Sequence, residues 1–390
     1  MITVNKSILK AALSDVLKST GRASALPIME CVLFAVEGQR LRLSATDLEM
    51  TIQKWIPMST MAFADEAIAI PGKLINDLVA VAPEGDIQLE IDQTSQAVTF
   101  TAGTSKSTIK CMDPTEFPPL PPMPDHGTAA LPGAAWKSIG SKVAYAANDD
   151  ISRPALTGVL LEYGEGKLNA VCTDGFRIAV QEFDVDSSLQ TSALVPAKSL
   201  AKSSSIMDEK QPVNLLVAHG KMVVFNEDTL TAFQMLEANF PEWQAILPPS
   251  FKYTLPVAYA EVERSIRQAL VVAKGSGSPL SNSVSIASDN HSVIVVGQDG
   301  EGSNSQSVLN SDLVAKTQFT VNGVFVLQTL KALTGAKKVV VKANSEKTPI
   351  QITSPEAPGY TVLLMPMETN ADRVSEMQEL AEKASAAMMN

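Results

Sequence analysis

LNAVCTD, residues 168–174, is a strand-like run closed by a polar corner, and the same figure stands at two other places, LRLSATD at 41–47 and VIVVGQD at 293–299. The closing aspartates, Asp47, Asp174 and Asp299, are 127 and 125 residues apart. Past each corner a proline or asparagine opens a helix-compatible segment: Pro71 in IPGKLINDLVA, Pro196 in VPAKSLAKSSS, Asn322 in VNGVFVLQTLKAL. A second helical segment starts each unit, in KSILKAALSDVLK, AAWKSIGSKVAYAA and AEVERSIRQALVVAK, where apolar residues recur at three- and four-residue steps. A solenoid repeats every ~20–50 residues, so this period signals a triplicated domain.

Between the helices lie β-branched runs such as CVLFAV, AVTFTA, GVLLEY, VNLLVA and VVVKA, bounded by Gly, Asn, Asp or Pro. Proline-rich breaks at Pro118–Gly127 and Ile246–Tyr253 fall where linkers are needed. The chain is therefore cut at 1–125, 126–250 and 251–368, with a tail at 369–390. The fold class is α+β, two helices laid on antiparallel sheets in each unit.

With 45% hydrophobic and 19% charged residues, the 390-residue chain is neither disordered nor fibrous. Its net charge of −11 argues against a nucleic-acid partner until the signs are located. The six helical segments, taken as 5–22, 71–80, 136–147, 196–207, 259–274 and 322–338, hold fifteen basic residues and four acidic ones. Elsewhere 16 basic residues face 38 acidic. Helices sharing one surface would make it a positive stripe in an acidic body, the pattern of a protein that meets a polyanion along one face. The plain alternative is that these lysines are ordinary solvated faces. With no aromatic ladder and no finger or RRM signature, sequence-specific readout is not expected.

Motifs for covalent chemistry are missing: no GxxxxGK[ST], no GxGxxG after a strand, no HExxH and no GxSxG. His126, His219 and His291 lack neighbouring ligands, and GSGSP at 275–279 reads as a loop. Cys31, Cys111 and Cys172 are too scattered for a disulfide framework or a zinc site and read as small buried hydrophobes. No cofactor is implied. The Thr-Asp corners at 46–47 and 173–174 read as turns in which a carboxylate accepts from backbone N–H groups, with Arg177 either pairing with Asp174 or lining a cleft. No apolar run reaches membrane-span length and no secretory segment opens the chain, so it is expected in the cytoplasm.

LPI at Leu26, TDLEM at Thr46, FPPL at Phe117, VCTDGFRIAV at Val171, NFPEWQAILP at Asn239 and YTVLLMPM ending at Met367 occur in the order and spacing of one family. The chain resembles the bacterial sliding clamps, the β subunits of DNA polymerase III. The resemblance implies three clamp domains per chain and two chains closed head to tail into a ring around duplex DNA. It also implies a processivity factor without enzymatic activity of its own, a subunit of a DNA-directed DNA polymerase. The partners implied are double-stranded DNA held non-specifically, the replicative polymerase catalytic subunit, the clamp loader, other proteins carrying a clamp-binding motif, and a second copy in a homodimer. DNA-facing residues would be Arg22, Lys73, Lys198, Lys202 and Arg153. A peptide-binding pocket would comprise Leu156, Thr173, Gly175, Phe176, Arg177, Ile178, Pro241, Ile246, Asn322, Phe325, Leu363, Met365, Pro366 and Met367, with Arg177 reaching peptide carbonyls. The dimer edge would set Lys73, Lys106, Ser107 and Ile109 against Val271 and Val272.

The family usually stops within a few residues of MPM, whereas Glu368–Asn390 continues here. Val374, Met377, Leu380, Ala381, Ala384 and Met388 fall at helical spacing, so an amphipathic helix that restricts peptide entry is one reading and a free tail the other. Two competing functions are a three-domain adaptor that never touches DNA and a hydrolase with an unrecognised site.

Overall fold

The computed structural model describes residues 1–21, 26–59, 66–185, 191–273, 281–289, 292–298, 303–310, 317–368, 379 and 383. Arg22, His291, the corner at Asp299, the GSGSP segment and the apolar residues of the tail lie outside them.

Helix α1 (Lys6–Val16) starts where Asn5 Oδ1 accepts from Ser7 N at 3.0 Å, relieving one unpaired donor of the first turn. Its apolar stripe, Leu9, Ala12, Leu13 and Val16, is buried. Helices α2 (Gly72–Val81), α3 (Gly133–Lys142), α4 (Ala197–Ile206), α5 (Tyr259–Ala273) and α6 (Gly323–Ala332) follow. Asn322 caps α6 as Asn5 caps α1, its Oδ1 accepting from Val324 N at 3.0 Å.

These helices are shorter than the sequence segments, which changes the charge count. Lys18 lies in a 3-10 turn, Lys337 follows α6, and Lys338 begins a strand. Within the six helices ten basic residues face four acidic ones, a weaker bias than expected. Some are already engaged. Lys6 is buried and donates to Ala82 O and to Glu84 Oε1 at 2.9 Å, and Arg267 pairs with Glu263 at 2.7 Å.

Among the described residues the chain builds eight strands three times in order, and two kinds of sheet result. The chain divides into two compact units, Met1–Gly140 with Val185–Leu189 and Lys198–Leu236, and Ser141–Asp184 with Gln190–Ala197 and Glu237–Asn390. The first unit holds a four-stranded antiparallel sheet in the order Ile2–Asn5, Asp86–Asp92, Ala97–Ala102, Ser105–Lys110. It also holds an eight-stranded sheet, Ala67–Pro71, Cys31–Glu37, Arg40–Thr46, Met50–Pro57, Thr229–Gln234, Lys221–Phe225, Pro212–Ala218, Ala129–Pro132. The second unit mirrors this. Its eight strands run Thr191–Pro196, Gly158–Gly164, Lys167–Thr173, Arg177–Asp184, Tyr360–Leu364, Ile350–Thr353, Lys338–Ala343, Tyr253–Ala258. Its four-stranded sheet runs Asn304–Asn310, Ser292–Gln298, Ser283–Asp289, Thr317–Asn322.

One rule generates both long sheets: the fourth strand of a repeat pairs with the eighth strand of the next. Met50–Pro57 takes Thr229–Gln234, with Thr231 opposite Ile52, and Arg177–Asp184 takes Tyr360–Leu364, with Ala179 opposite Val362. Two strands are left without such a partner among the described residues, Asn304–Asn310, a fourth strand, and Ser105–Lys110, an eighth. Both are sheet edges, whose unpaired N–H and C=O groups are a template for another chain.

In the first unit α3 and α4 cross closely, because a Cβ on Gly140 would sit 1.7 Å from Ser204 Oγ. Trp136 Nε1 donates to Ser203 Oγ at 3.2 Å in the same seam. The proline-rich stretches lie on the sheets: Phe117 and Leu120 pack with Ile28, Met29 and Leu33, while Phe240, Trp243, Leu247 and Phe251 pack with Val171, Ile178, Val180 and Leu363.

Candidate functional site

The turn between Lys167–Thr173 and Arg177–Asp184 is built by its own side chains. Thr173 Oγ1 donates to Arg177 O at 2.6 Å and accepts from Gly175 N at 3.1 Å. Asp174 Oδ1 accepts from Phe176 N and Arg177 N, each at 2.9 Å. Gly175 is at φ +92°, the left-handed region, so the chain reverses there without a Cβ clash. The corner is structural, as the sequence reading expects.

Arg177 takes the first of its two alternatives. Its Nε donates to Asp174 Oδ2 at 3.0 Å, with the two side chains 5% and 10% exposed. Nη2 donates to Tyr145 O at 3.0 Å, Nη1 donates to Gln328 Oε1, and the guanidinium lies 4.3 Å from the Phe325 ring centroid. Three of the five guanidinium N–H donors are thus spent inside the fold. Arg177 positions the corner, tying it to α6 and to the 3-10 turn Ala144–Ala146. Beside it the Tyr145 hydroxyl lies 3.1 Å from that of Tyr360, which donates to Lys142 O at 2.8 Å. Burial pushes both phenols above their ordinary pKa, so they remain neutral hydrogen-bonding groups.

With the corner rigid, Phe176 is presented outward and is 63% exposed. Its carbonyl accepts from Met365 N at 2.8 Å, so Met365, 43% exposed, stands next to it. Met367 N donates to Thr320 O at 2.8 Å, anchoring the run Met365–Met367 on the strand that leads into α6. Ile246, 39% exposed, ends the 3-10 turn whose Trp243 packs on Ile178 and Leu363. Phe176 and Met365 form an apolar shelf over a buried layer, and Ile246 is exposed on the 3-10 turn whose Trp243 joins that layer. Burying one such side chain is worth ~1.5–3 kcal/mol, which an unoccupied shelf forgoes.

Several expected pocket residues belong to that layer or to caps. Ile178, Leu363 and Thr173 are buried, and Asn322 spends its side chain capping α6. Leu156 is half-buried on the 3-10 turn Pro154–Thr157, Phe325 is half-buried under Arg177, Pro241 is exposed, and Pro366 and Met367 are half-buried. Sequence reasoning missed Tyr145 and Gln328, whose only signal is a polar residue at a helix-compatible position.

The basic candidates gather less. Lys73 is exposed on α2 and Lys198 on α4. Lys202 lies 3.7 Å from Asp47 Oδ2 and, with Leu17, Lys18, Thr20, Gly21 and Asp47, lines a cavity of about 470 Å³. Lys18, absent from the expected set, donates to Ser205 Oγ at 3.1 Å there. Arg153 is exposed in the second unit, beside Asp150, whose carboxyl the hydrogen bonds from Ser152 hold below its ordinary range. Of the dimer candidates, Lys106 and Ser107 lie on the edge strand Ser105–Lys110, and Val271 is exposed near the end of α5 with Val272 half-buried beside it. Ile109, on the same strand, is buried.

Among the described residues no three His, Cys, Asp or Glu side chains converge as metal ligands, and no helix is long and apolar enough to cross a membrane. The family models for the N-terminal and central domains of the DNA polymerase III beta subunit match residues 1–121 and 130–242. The beta sliding clamp of Bacillus subtilis is 22% identical over 379 residues, covering 94% of this chain and 99% of that one. The crystal structure of the beta subunit from DNA polymerase of Streptococcus pyogenes superposes with a TM-score of 0.87 at 20% identity, over 94% of this chain and 100% of that one. The DNA polymerase sliding clamp from Bacillus subtilis gives 0.85 at 20% identity, over 95% and 99%.

Proposed function

The chain belongs to the DNA polymerase III beta subunit family, and from that premise we propose that it is a non-catalytic processivity factor, two copies of which close into a ring that encircles duplex DNA. The observation that carries this reading is the pairing rule of the sheets. Each fourth strand takes the eighth strand of the following repeat, and the two strands left over are one of each kind. Asn304–Asn310 of one copy therefore meets Ser105–Lys110 of the next by the pairing already used twice inside the chain, a heterologous contact that closes when the rotation does. Lys73, Lys106, Ser107, Val271 and Val272 flank that seam. Domains at 1–125, 126–250 and 251–368 are part of the proposal.

Lys73, Lys198 and Lys202, with Lys18 added, attract phosphates without reading bases, which leaves the ring free to slide. Arg153 contributes less, since Asp150 beside it repels phosphate. The apolar shelf takes a short peptide from the replicative polymerase, the clamp loader or another protein with a clamp-binding motif. Tethering then replaces a bimolecular encounter by a high local concentration. Work on chromosomal DNA places the protein in the cytoplasm.

The test is topological. After loading onto nicked circular DNA by a clamp loader, the protein is expected to cosediment with circles at about 0.5 M salt, where phosphate contacts alone have failed, and to be lost when the circles are cut. Retention that ignores topology overturns the ring and favours the adaptor reading.

A further inference from the structure

The Thr-Asp corner at 46–50 leaves open a space that the corner at 173–177 fills. In the second corner the Arg177 guanidinium binds Asp174, Tyr145 O and Gln328 and lies on the Phe325 ring. At the repeat spacing of 126 or 127 residues, Met50 stands for the arginine, and Asp47, Lys18, Lys202 and Ser199 stand for its four neighbours. Met50 is buried and Ser199 carries no ring, so the first corner has neither the guanidinium nor its aromatic cover. There the cavity of about 470 Å³ is lined by Leu17, Lys18, Thr20, Gly21, Asp47 and Lys202. Its size falls within the ~300–1,000 Å³ of small-molecule sites.

The polar groups of that lining are unevenly spent. Thr20 N and Oγ1 both donate to Leu17 O, and Gly21 N donates to Met29 O. Asp47 Oδ1 accepts from Met50 N at 2.7 Å, so that carboxylate is held by the turn. The ammonium groups keep donors in hand. Lys18 Nζ, with three N–H groups, reaches Asp15 Oδ1 at 3.4 Å and Ser205 Oγ at 3.1 Å. Lys202 Nζ has only Asp47 Oδ2, at 3.7 Å, among the described residues. Two ammonium groups in one cavity repel each other unless an anion lies between them. A phosphate meets both needs, since it brings negative charge and several acceptor oxygens at once.

We propose that the cavity bounded by Lys18, Asp47 and Lys202 is a phosphate-binding site that holds one phosphate group, of a free nucleotide or of a DNA strand, in a fixed position. It rests on the reading of Lys18 and Lys202 as phosphate contacts and narrows it. Lys73 and Lys198, exposed on helix surfaces, attract phosphates along a strand, whereas the first corner localises a single one.

The test is limited acetylation of the full chain, with each lysine followed by peptide mass spectrometry in sodium phosphate and in sodium acetate of equal ionic strength. Phosphate is expected to slow acetylation of Lys18 and Lys202 about fivefold relative to acetate and to leave Lys73 and Lys198 unchanged, because a bound anion keeps the amine protonated. Deoxyadenosine monophosphate and short duplexes with and without 5′-phosphates then separate the sources: protection by the nucleotide assigns the site to free ligands, and protection by a duplex alone assigns it to a strand. Met50→Arg with Lys202→Gln rebuilds the filling of the second corner and is expected to abolish the protection of Lys18. Since that arginine replaces a buried side chain, Lys202→Gln alone is the second variant, expected to cut the protection of Lys18 at least about threefold at an unchanged unfolding midpoint. Equal protection by acetate, equal slowing at all four lysines, no slowing, or protection of Lys18 that survives Lys202→Gln overturns the proposal. Retention on circular DNA needs no such site, so the ring reading stands or fails separately.

Discussion

The corners at 46–50 and 173–177 share one backbone and differ in almost every side chain they present. In each, the threonine hydroxyl donates across the turn, Thr46 to Met50 O at 3.1 Å and Thr173 to Arg177 O at 2.6 Å. Each aspartate accepts from the N–H three residues on, Met50 at 2.7 Å and Arg177 at 2.9 Å. Each then accepts a strand from the next repeat at the same carbonyl: Gln234 N donates to Glu49 O at 3.0 Å, and Met365 N to Phe176 O at 2.8 Å. On this common frame the first corner carries Glu49, Gln234 and the Asp47–Lys202 pair, and the second carries Phe176 and Met365. The threonine and aspartate build the turn. What the turn presents is decided by two or three outward side chains, which is how one repeated domain supplies both a polar junction and an apolar shelf.

The largest difference lies beneath the surface, where the first corner buries Met50 and the second buries Arg177. Arg177→Ala leaves Asp174 uncompensated and is expected to cost ~3–5 kcal/mol in chemical denaturation. Asp47→Ala, which removes a partly exposed carboxylate, is expected to cost only ~1 kcal/mol. Equal costs would mean that the two corners are held in the same way. Next in size is the surface itself. Phe176→Glu with Met365→Gln gives the second corner the chemistry of the first, and fluorescence anisotropy with a polymerase-derived peptide should show at least ~30-fold weaker binding at an unchanged unfolding midpoint. Unaltered affinity would remove the shelf from the account.

A subtler contrast concerns the left-handed residue, Leu48 at φ +70° and Gly175 at φ +92°. Leu48→Gly is expected to be neutral or stabilising by up to ~1 kcal/mol, and Gly175→Leu destabilising by ~1 kcal/mol, since no atom lies within 4 Å of a Cβ at 175 and the cost is backbone alone. Opposite signs in thermal melts confirm that the strain sits at the first corner. On the polar side, Lys202→Ala should weaken DNA binding on every sequence alike and lower the salt slope by about 1. The smallest effect belongs to Cys172, next to the second corner, where the first has Ala45. Burial pushes its thiol above the ordinary range, so a disulfide reagent at pH 8 finds no thiolate until the strand opens. Above the free-thiol pKa the unfolded chain releases a proton that the folded chain keeps, so stability should fall as pH rises through that point.

The triplicate and the six helices were legible because Pro71, Pro196 and Asn322 recur at fixed distance and the apolar spacing of α1 and α5 is strong. Helix ends were not. Lys337 and Lys338 continue the helical pattern of α6, but the latter pairs with Ala258 in a strand, a partner 80 residues away. The same distance hid Arg177. Its pairing with Asp174 was one of two open readings, and its burial depends on Tyr145 and Gln328, 32 and 151 residues off. The local bonds of Asn322 and Thr173, a cap and a turn brace, were easier to foresee, because a short polar side chain beside a turn bonds its own backbone first. Nothing in the order of residues marks Phe176 as outward. Only the fixed corner does.

The unmatched edges Ser105–Lys110 and Asn304–Asn310 are unlike one another, so two copies closed by the proposed pairing would meet at two identical hinges at once. Any substitution at such a hinge is felt twice per assembly. Yet prising apart one of them leaves the copies attached through the other, so a passage for a strand of DNA can appear without the pair ever falling into separate chains.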